Sequence, residues 1–419
     1  MAETTSMAII APAQLATRPQ PVGAFPLPAG YLLVPAGADT EDARLTLLAG
    51  REPAPWPARM RAHELALSGD RDAALAALTG GDVVTRYNRF VLDPDGVADL
   101  DALRADLGEL GPLVDVLEFV LGRSDTPPER GDTDGEIAAL VLSAQAADAL
   151  GRDEPAAAVA LLDEAAELAP AQPLAGLLLG AAASVCLEND GLGDGATPRL
   201  EKALKALDGA DGLRVGRAEL HLALAGALHA QGTERPDLVA KAIPHYHSTL
   251  QLILRAEAPD MWAAAHSDLA AAYLTMPMIE ASDQLRLGVA VQSLRSALKV
   301  YTPETHPERW ASTQLNLANS LVYTPSKHQA DNLVEAVEIY EAVLEMRDRE
   351  TDPLGRARVL ANQGNALAHL GMFDPAKAKL YEARFLFEEF GDHSSMRSVR
   401  GVLDEVARQQ TLIKTQEQP

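Results

Sequence analysis

From Glu136 onward, apolar positions recur three and four residues apart, in blocks a dozen or more residues long that come two by two. EIAALVLSAQAADALG (136–151) is followed by PAAAVALLDEAAELAP (155–170), and LAGLLLGAAASVCL (174–187) by ATPRLEKALKALDG (196–209). Four more pairs run to Phe390 and a last helix, SMRSVRGVLDEVARQ, closes the series. The pattern predicts an all-α chain of tandem helix pairs over residues 136–410, with TLIKTQEQP (411–419) as a frayed tail.

Upstream the pattern is weaker. Residues 1–55 form a proline-rich arm, expected to be partly disordered; its prolines fix φ, remove donors and exclude long helices. Only TEDARLTLLAG reads as a short helix there, with Asp39 or Thr40 at its start and Gly50 as its stop. The arm is either loosely held or docks on the chain's own groove or a partner. Residues 56–125 read as a degenerate helical region, broken first at Ser68-Gly69-Asp70. TPPERGDTDG (126–135) is polar and lacks apolar residues, which predicts an interdomain linker.

Self-similarity is the strongest signal. PDMWAAAHSDLAAAYLTMP lies over PERWASTQLNLANSLVYTP, with Trp262 over Trp310 and Pro277 over Pro325, a period of 48. The next copy, DPLGRARVLANQGNALAHLG, places Asn362 and Asn365 over Asn316 and Asn319, a period of 46. An earlier copy sets Leu224-Ala225 over Leu269-Ala270. Small residues where two helices cross let the backbones approach, and a large one opposite fills the gap. Gly364, Leu367, Gly371, Ala376, Leu380 and Ala383 follow that rule, as do Ala336, Tyr340 and Val343, and Ala290, Leu294 and Ala297.

In these positions the chain resembles tetratricopeptide repeat (TPR) proteins. The period exceeds the usual ~34 residues of that family because insertions such as YTPSKHQADN and MPMIEASDQ separate the two helices of a pair. HPERWASTQLNLANSL with NLVEAVEIYEAVLEM is similar to long-period bacterial TPR arrays, some fused to caspase-like protease domains, of which this chain shows no sign. The resemblance implies an α-solenoid, a right-handed superhelix whose first helices line a concave groove, and a binding role. PAPWPARMRAHELALSGDRDAALAAL and TRYNRFVLDPD also resemble, in texture, TPR proteins accompanying actinobacterial nickel–iron uptake hydrogenases.

Asparagine is a poor helix former, yet two of these helices carry it twice. Mapped onto a TPR groove, Ser267 and Asp268, then Ser312, Asn316, Asn319 and Tyr323, then Arg358, Asn362, Asn365 and His369 form one lining. Side-chain amides offer both donor and acceptor, so such a lining could hold an extended peptide through its backbone. The same amides could instead bond to each other between repeats and fix the stacking. A carboxylate clamp built on Asn319, Asn362 and Arg397 or Arg400 lacks its lysine, because Leu315 stands there.

Composition narrows the partner. The sequence is 47% hydrophobic but only 4% aromatic, its net charge is -24, and no lysine precedes Lys202. Such a surface repels phosphate backbones, so no nucleic acid is expected, and a basic peptide or protein is the better match. One cysteine, Cys186, excludes an internal disulfide and fits a reducing cytoplasm. MAETTSMAIIAPAQLATRP lacks the marks of a signal peptide, and no run is long enough to span a bilayer.

His221, His266 and the pair His245 and His247 read as packing positions and not as a zinc site. GDGATP and GLGDG lack the lysine of a phosphate loop. No catalytic residue, metal or cofactor is expected. The leading expectation is a non-catalytic scaffold or adaptor that binds a partner polypeptide; an assembly factor for a metalloenzyme and a small-molecule or peptide-sensing regulator are the alternatives. Self-association stays open.

Overall fold

The computed structural model describes residues 18–276, 283–323 and 327–416. The expectation of no signal peptide rests on residues 1–19, nearly all outside that range, and Pro12, Pro277 and Pro325 also lie outside it. Among the described residues every long element is a helix, and the one β-type pairing is an isolated antiparallel bridge between Gln20 and Val34. The chain divides into two compact units, with the boundary between Ala227 and Leu228.

The first unit opens with the arm and six short helices: α1 (Glu41–Leu48), α2 (Arg61–Leu67), α3 (Arg71–Ala77), α4 (Val83–Leu92), α5 (Leu100–Leu107) and α6 (Pro112–Val120). Local chemistry sets three of these starts, those of α3, α4 and α5. Asp70, Asp82 and Asp99 each accept a backbone N–H three residues on, satisfying one donor that the first helical turn leaves open. Two full pairs follow, α7 (Gly135–Gly151) with α8 (Pro155–Leu168) and α9 (Gln172–Glu188) with α10 (Ala196–Ala206), then α11 (Arg214–Ala230), within which the boundary falls.

Of the arm expected to be either loosely held or docked, residues 18–55 are packed, and residues 1–17 lie outside the described range. Val22, Phe25, Leu32, Leu33 and Val34 are each at most 3% exposed. The segment expected as a linker, 126–135, lies inside this unit. Arg18 pairs with both Glu109 and Asp134, and Gln145 donates to the Pro128 carbonyl at 2.8 Å, so it is tied down on both sides.

The second unit continues in pairs: α12 (Pro236–Leu252), α13 (Pro259–Thr275) with α14 (Asp283–Ala297), α15 (Pro307–Tyr323) with α16 (Gln329–Met346), α17 (Pro353–His369) with α18 (Phe373–Glu389), and α19 (His393–Gln416). Proline opens α12, α13, α15 and α17, where a missing N–H is harmless. Gly371 and Gly391 end α17 and α18 at φ +74°, a left-handed conformation that L side chains resist. The tail expected to fray extends α19 as far as Gln416; no proline interrupts it, and Gln410 bonds Lys377 and Asp374 of α18.

The crossing rule is fulfilled in detail. A Cβ placed on Gly364 would stand 2.7 Å from Leu380 Cγ and 3.1 Å from the Ala376 carbonyl oxygen, so only glycine lets α17 and α18 approach this closely. Ala376, Leu380 and Ala383 are fully buried, as are Ala336, Tyr340 and Val343, and Ala290, Leu294 and Ala297. They belong to a core that runs from Ala270 to Val406, completed by Ala263, Ala297 and Tyr301 beside Trp310.

Candidate functional site

The first helices of the pairs in the second unit touch in succession, α13 to α15, α15 to α17 and α17 to α19. On α17, Ala357, Leu360, Gly364 and Leu367 are buried between helices. Arg358, Asn362, Asn365 and His369 recur three and four residues apart on a different face, two exposed and two half-buried. The same spacing on α15 gives exposed Ser312 and Tyr323 and half-buried Asn316 and Asn319. Burial of the opposite face in the core thus decides which polar residues point away from it.

Two contacts link α15 to α17. Asn362 Nδ2 donates to Asn319 Oδ1 at 3.0 Å, and Asn365 Nδ2 donates to the Tyr323 hydroxyl at 3.2 Å. Asn319 Oδ1 also accepts from the Tyr340 hydroxyl at 2.6 Å. Tyr340 is the large residue of α16's crossing position, 1% exposed, and burial pushes its phenol well above the ordinary range. The helix-unfavourable asparagine therefore gives a core tyrosine its acceptor while bridging to the next repeat. Sequence reasoning placed Tyr340 in the core and Asn319 on the face. The link was missed because nothing in the repeat pattern says that a tyrosine hydroxyl must exit toward the first helix.

The interhelix bonds use only part of the amide capacity. Among the described residues the Asn316 side chain makes no hydrogen bond, and Asn319 Nδ2, Asn362 Oδ1 and Asn365 Oδ1 have no protein partner. These half-exposed atoms are donors and acceptors open to water or a ligand.

The α13 end differs in charge. Ser267 Oγ lies 3.5 Å from Thr313 Oγ1, again linking neighbouring first helices. Asp268 is half-buried, with no hydrogen bond among the described residues; desolvation raises its carboxyl to about 6 against the opposing pull of Arg309. Arg309 itself donates to the Tyr301 hydroxyl at 2.9 Å and lies over that ring. Asp268 is thus the one acidic member of the expected lining and sits at its edge near a guanidinium already engaged.

The remaining sequence candidates are distributed elsewhere. Leu315 packs against the core and Arg397 and Arg400 are exposed on α19, with Arg397 Nε donating to the His393 carbonyl. His247 Nε2 lies 2.9 Å from the Tyr273 hydroxyl, and His266 packs edge-on to Trp262, so both serve contacts between or within helices. Among the described residues no group of three or more potential ligands could hold a metal ion. Cys186 is buried, and burial raises its thiol. No described helix is long and apolar enough to cross a membrane.

No family model matches the sequence, and no curated sequence matches it either. Among solved structures the chain is similar to the apo form of RapI, at 14% identity and a TM-score of 0.47, over 84% of this chain and 97% of that one. A Rap protein complexed with competence and sporulation factor shares 13% identity at a TM-score of 0.39, over 84% and 97% of the two chains. The TPR2AB domain of yeast Sti1, in a complex with pHSP90, shares 17% at 0.26, over 64% and 98%. The fold is TPR-like, and that assignment rests on this chain's own helix pairs and their small-against-large crossings.

Proposed function

We propose that the protein is a non-catalytic scaffold or adaptor that holds a partner polypeptide against the face of α13, α15 and α17. The observation that supports this is the divided use of the asparagines. Asn319 and Asn362 spend one bond on each other, fixing the face, while the rest of their polar atoms and all of Asn316's stay half-exposed. An extended segment supplies alternating N–H and C=O groups that match such a face. Ser267, Asp268, Ser312, Tyr323, Arg358 and His369 extend it at either side. A net charge of -24 favours a basic segment, in a reducing compartment such as the cytoplasm.

The test is recovery of partners by the full chain and by a variant with Asn316, Asn319, Asn362 and Asn365 all changed to alanine, with helicity checked by circular dichroism. Loss of recovery from a folded variant supports the reading; unchanged recovery refutes it. A narrower version, an assembly factor for a multi-subunit metalloenzyme, predicts that deleting the gene stops enzyme maturation while the protein is missing from the finished complex.

A further inference from the structure

The arm is attached to the first unit by chemistry of an unusual kind. Residues 20–34 form a short hairpin: Val34 N–H donates to the Gln20 carbonyl at 2.9 Å, and Val22 N–H to that of Gly30 at 3.2 Å. The hairpin lies on the first helices of the pairs. Gly23 meets Leu140 of α7 and Leu174 of α9, and Phe25 packs beside Gly212 at the approach to α11. Past α1, the Gly50 carbonyl accepts from Gly212 N–H at 2.9 Å. From the other side Asn88 of α4 grips the backbone of Leu33 at both ends: Leu33 N–H donates to Asn88 Oδ1 at 2.7 Å, and Asn88 Nδ2 donates to the Leu33 carbonyl at 3.0 Å. The arm is thus bound as a partner peptide would be, by apolar anchors and a side-chain amide on extended backbone.

Where the arm meets α7 lies a buried charge cluster. Arg44 of α1 holds Glu41 by two bonds, at 2.9 and 2.5 Å, and donates to Gln20 Oε1 at 3.1 Å. Gln20 Nε2 reaches Glu136 Oε2 of α7 at 3.5 Å, while Glu136 Oε1 is buried with no partner. Arg44, Glu41 and Glu136 are each less than 10% exposed. One guanidinium thus lies near two buried carboxyls, and it engages Glu41 in a paired contact. Toward Glu136 the arm presents the Arg44 guanidinium, with Glu41 behind it, and the neutral amide of Gln20. One buried guanidinium balances one carboxylate, so the second favours its neutral form.

We propose that residues 20–50 are a self-ligand occupying the face formed by α7, α9 and the approach to α11, and that a proton on Glu136 latches them there. Desolvation raises the Glu136 carboxyl to about 8, in keeping with the charge balance. A released arm would return Glu136 to water and to the ordinary carboxylate range. Docking then takes up one proton and weakens as pH rises from about 4.5 toward 8. Release would bare Leu140, Leu174 and Leu213 as an apolar face for an extended segment. This inference is independent of the α13–α17 face.

Amide hydrogen exchange on the full chain, corrected for intrinsic exchange chemistry, tests it between pH 5.5 and 7.5. Protection of residues 20–34 is expected to fall by at least tenfold over that interval, the limit being about tenfold per pH unit for one proton. Glu136→Gln keeps the size and the bond to Gln20 without the charge; its arm should be flat with pH and better protected at 7.5. A wild-type arm that is flat, a variant with the same slope, or an arm that opens only together with α7 and α9 would overturn the proposal. Gln20→Ala supplies a second check. It should lower arm protection at least threefold with α8 and α10 unchanged, and an unaltered arm would also count against the proposal.

Discussion

Replacing Asn319 by alanine isolates what this residue does for the fold. The Tyr340 hydroxyl, on a side chain 1% exposed, donates to Asn319 Oδ1 at 2.6 Å and would lose its acceptor. An orphaned buried donor costs roughly 1–3 kcal/mol. The bond from Asn362 at 3.0 Å is half-exposed, so water replaces most of it, and about 0.5 kcal/mol is lost. Removing a poor helix former returns a few tenths of a kcal/mol. The net expectation is a loss of about 2 kcal/mol. Tyr340→Phe removes the donor but leaves an acceptor that Asn362 still satisfies, so it should cost about 1 kcal/mol. In the double variant neither orphan remains, and its loss should fall at least ~1 kcal/mol short of the sum. Urea unfolding followed by circular dichroism, with the second unit's transition resolved by exchange of α15–α17 amides, reads all four corners of the cycle. Additivity within ~0.3 kcal/mol would show that the Tyr340–Asn319 bond is not coupled as described.

Other consequences are checked more simply. Gly364→Ala should destabilise by about 1–2 kcal/mol, because overpacking against Leu380 exceeds the gain in helix propensity. Gly288→Ala in α14, with no atom within 4 Å of the new methyl, should instead stabilise by about 0.5–1 kcal/mol, and thermal melts compare the two. His63 is buried with neither ring nitrogen in a well-formed hydrogen bond, and burial lowers it to about 4 against a smaller opposing pull from the Leu33 backbone. The unfolded chain binds that proton first, so stability is full above pH ~6.5 and drops by up to about 3 kcal/mol as pH falls to 4. His63→Met should flatten this acid limb; an unchanged limb would mean that the histidine is not its source.

The repeat carried most of what could be read from the sequence. Helix starts at Pro259, Pro307 and Pro353, stops at Gly371 and Gly391, and the Gly364–Leu380 crossing all follow from local propensity and a small-large period, which are written along the chain. The face of α15 and α17 was legible for the same reason: once the buried stripe is known, Asn316, Asn319, Asn362 and Asn365 have one place to go. Docking of the arm was one of two open readings, but where and how it docks was not legible. Prolines argue against helices but say nothing about docking, and the bonds that hold it join residues 55 and 116 positions apart. The apolar run Tyr31–Val34 inside a proline-rich stretch was the available hint, since such a run has to be buried somewhere. The polar segment 126–135 misled for a related reason. Asp134 pairs with Arg18 and Arg130 with Glu164, so a segment that stays largely exposed is still tied to its unit.

The central claim is that another polypeptide lies along α13, α15 and α17, and site-specific photocrosslinking measures this most directly. A photoreactive residue placed at exposed Arg358 or His369, in turn, should crosslink a protein in extracts of the native host. The same group at exposed Tyr381 or Phe385 of α18 should not. Adding the four asparagine-to-alanine changes should abolish the crosslink in a chain that still folds. Crosslinks equally strong from α18, or undiminished by the four changes, would contradict the account.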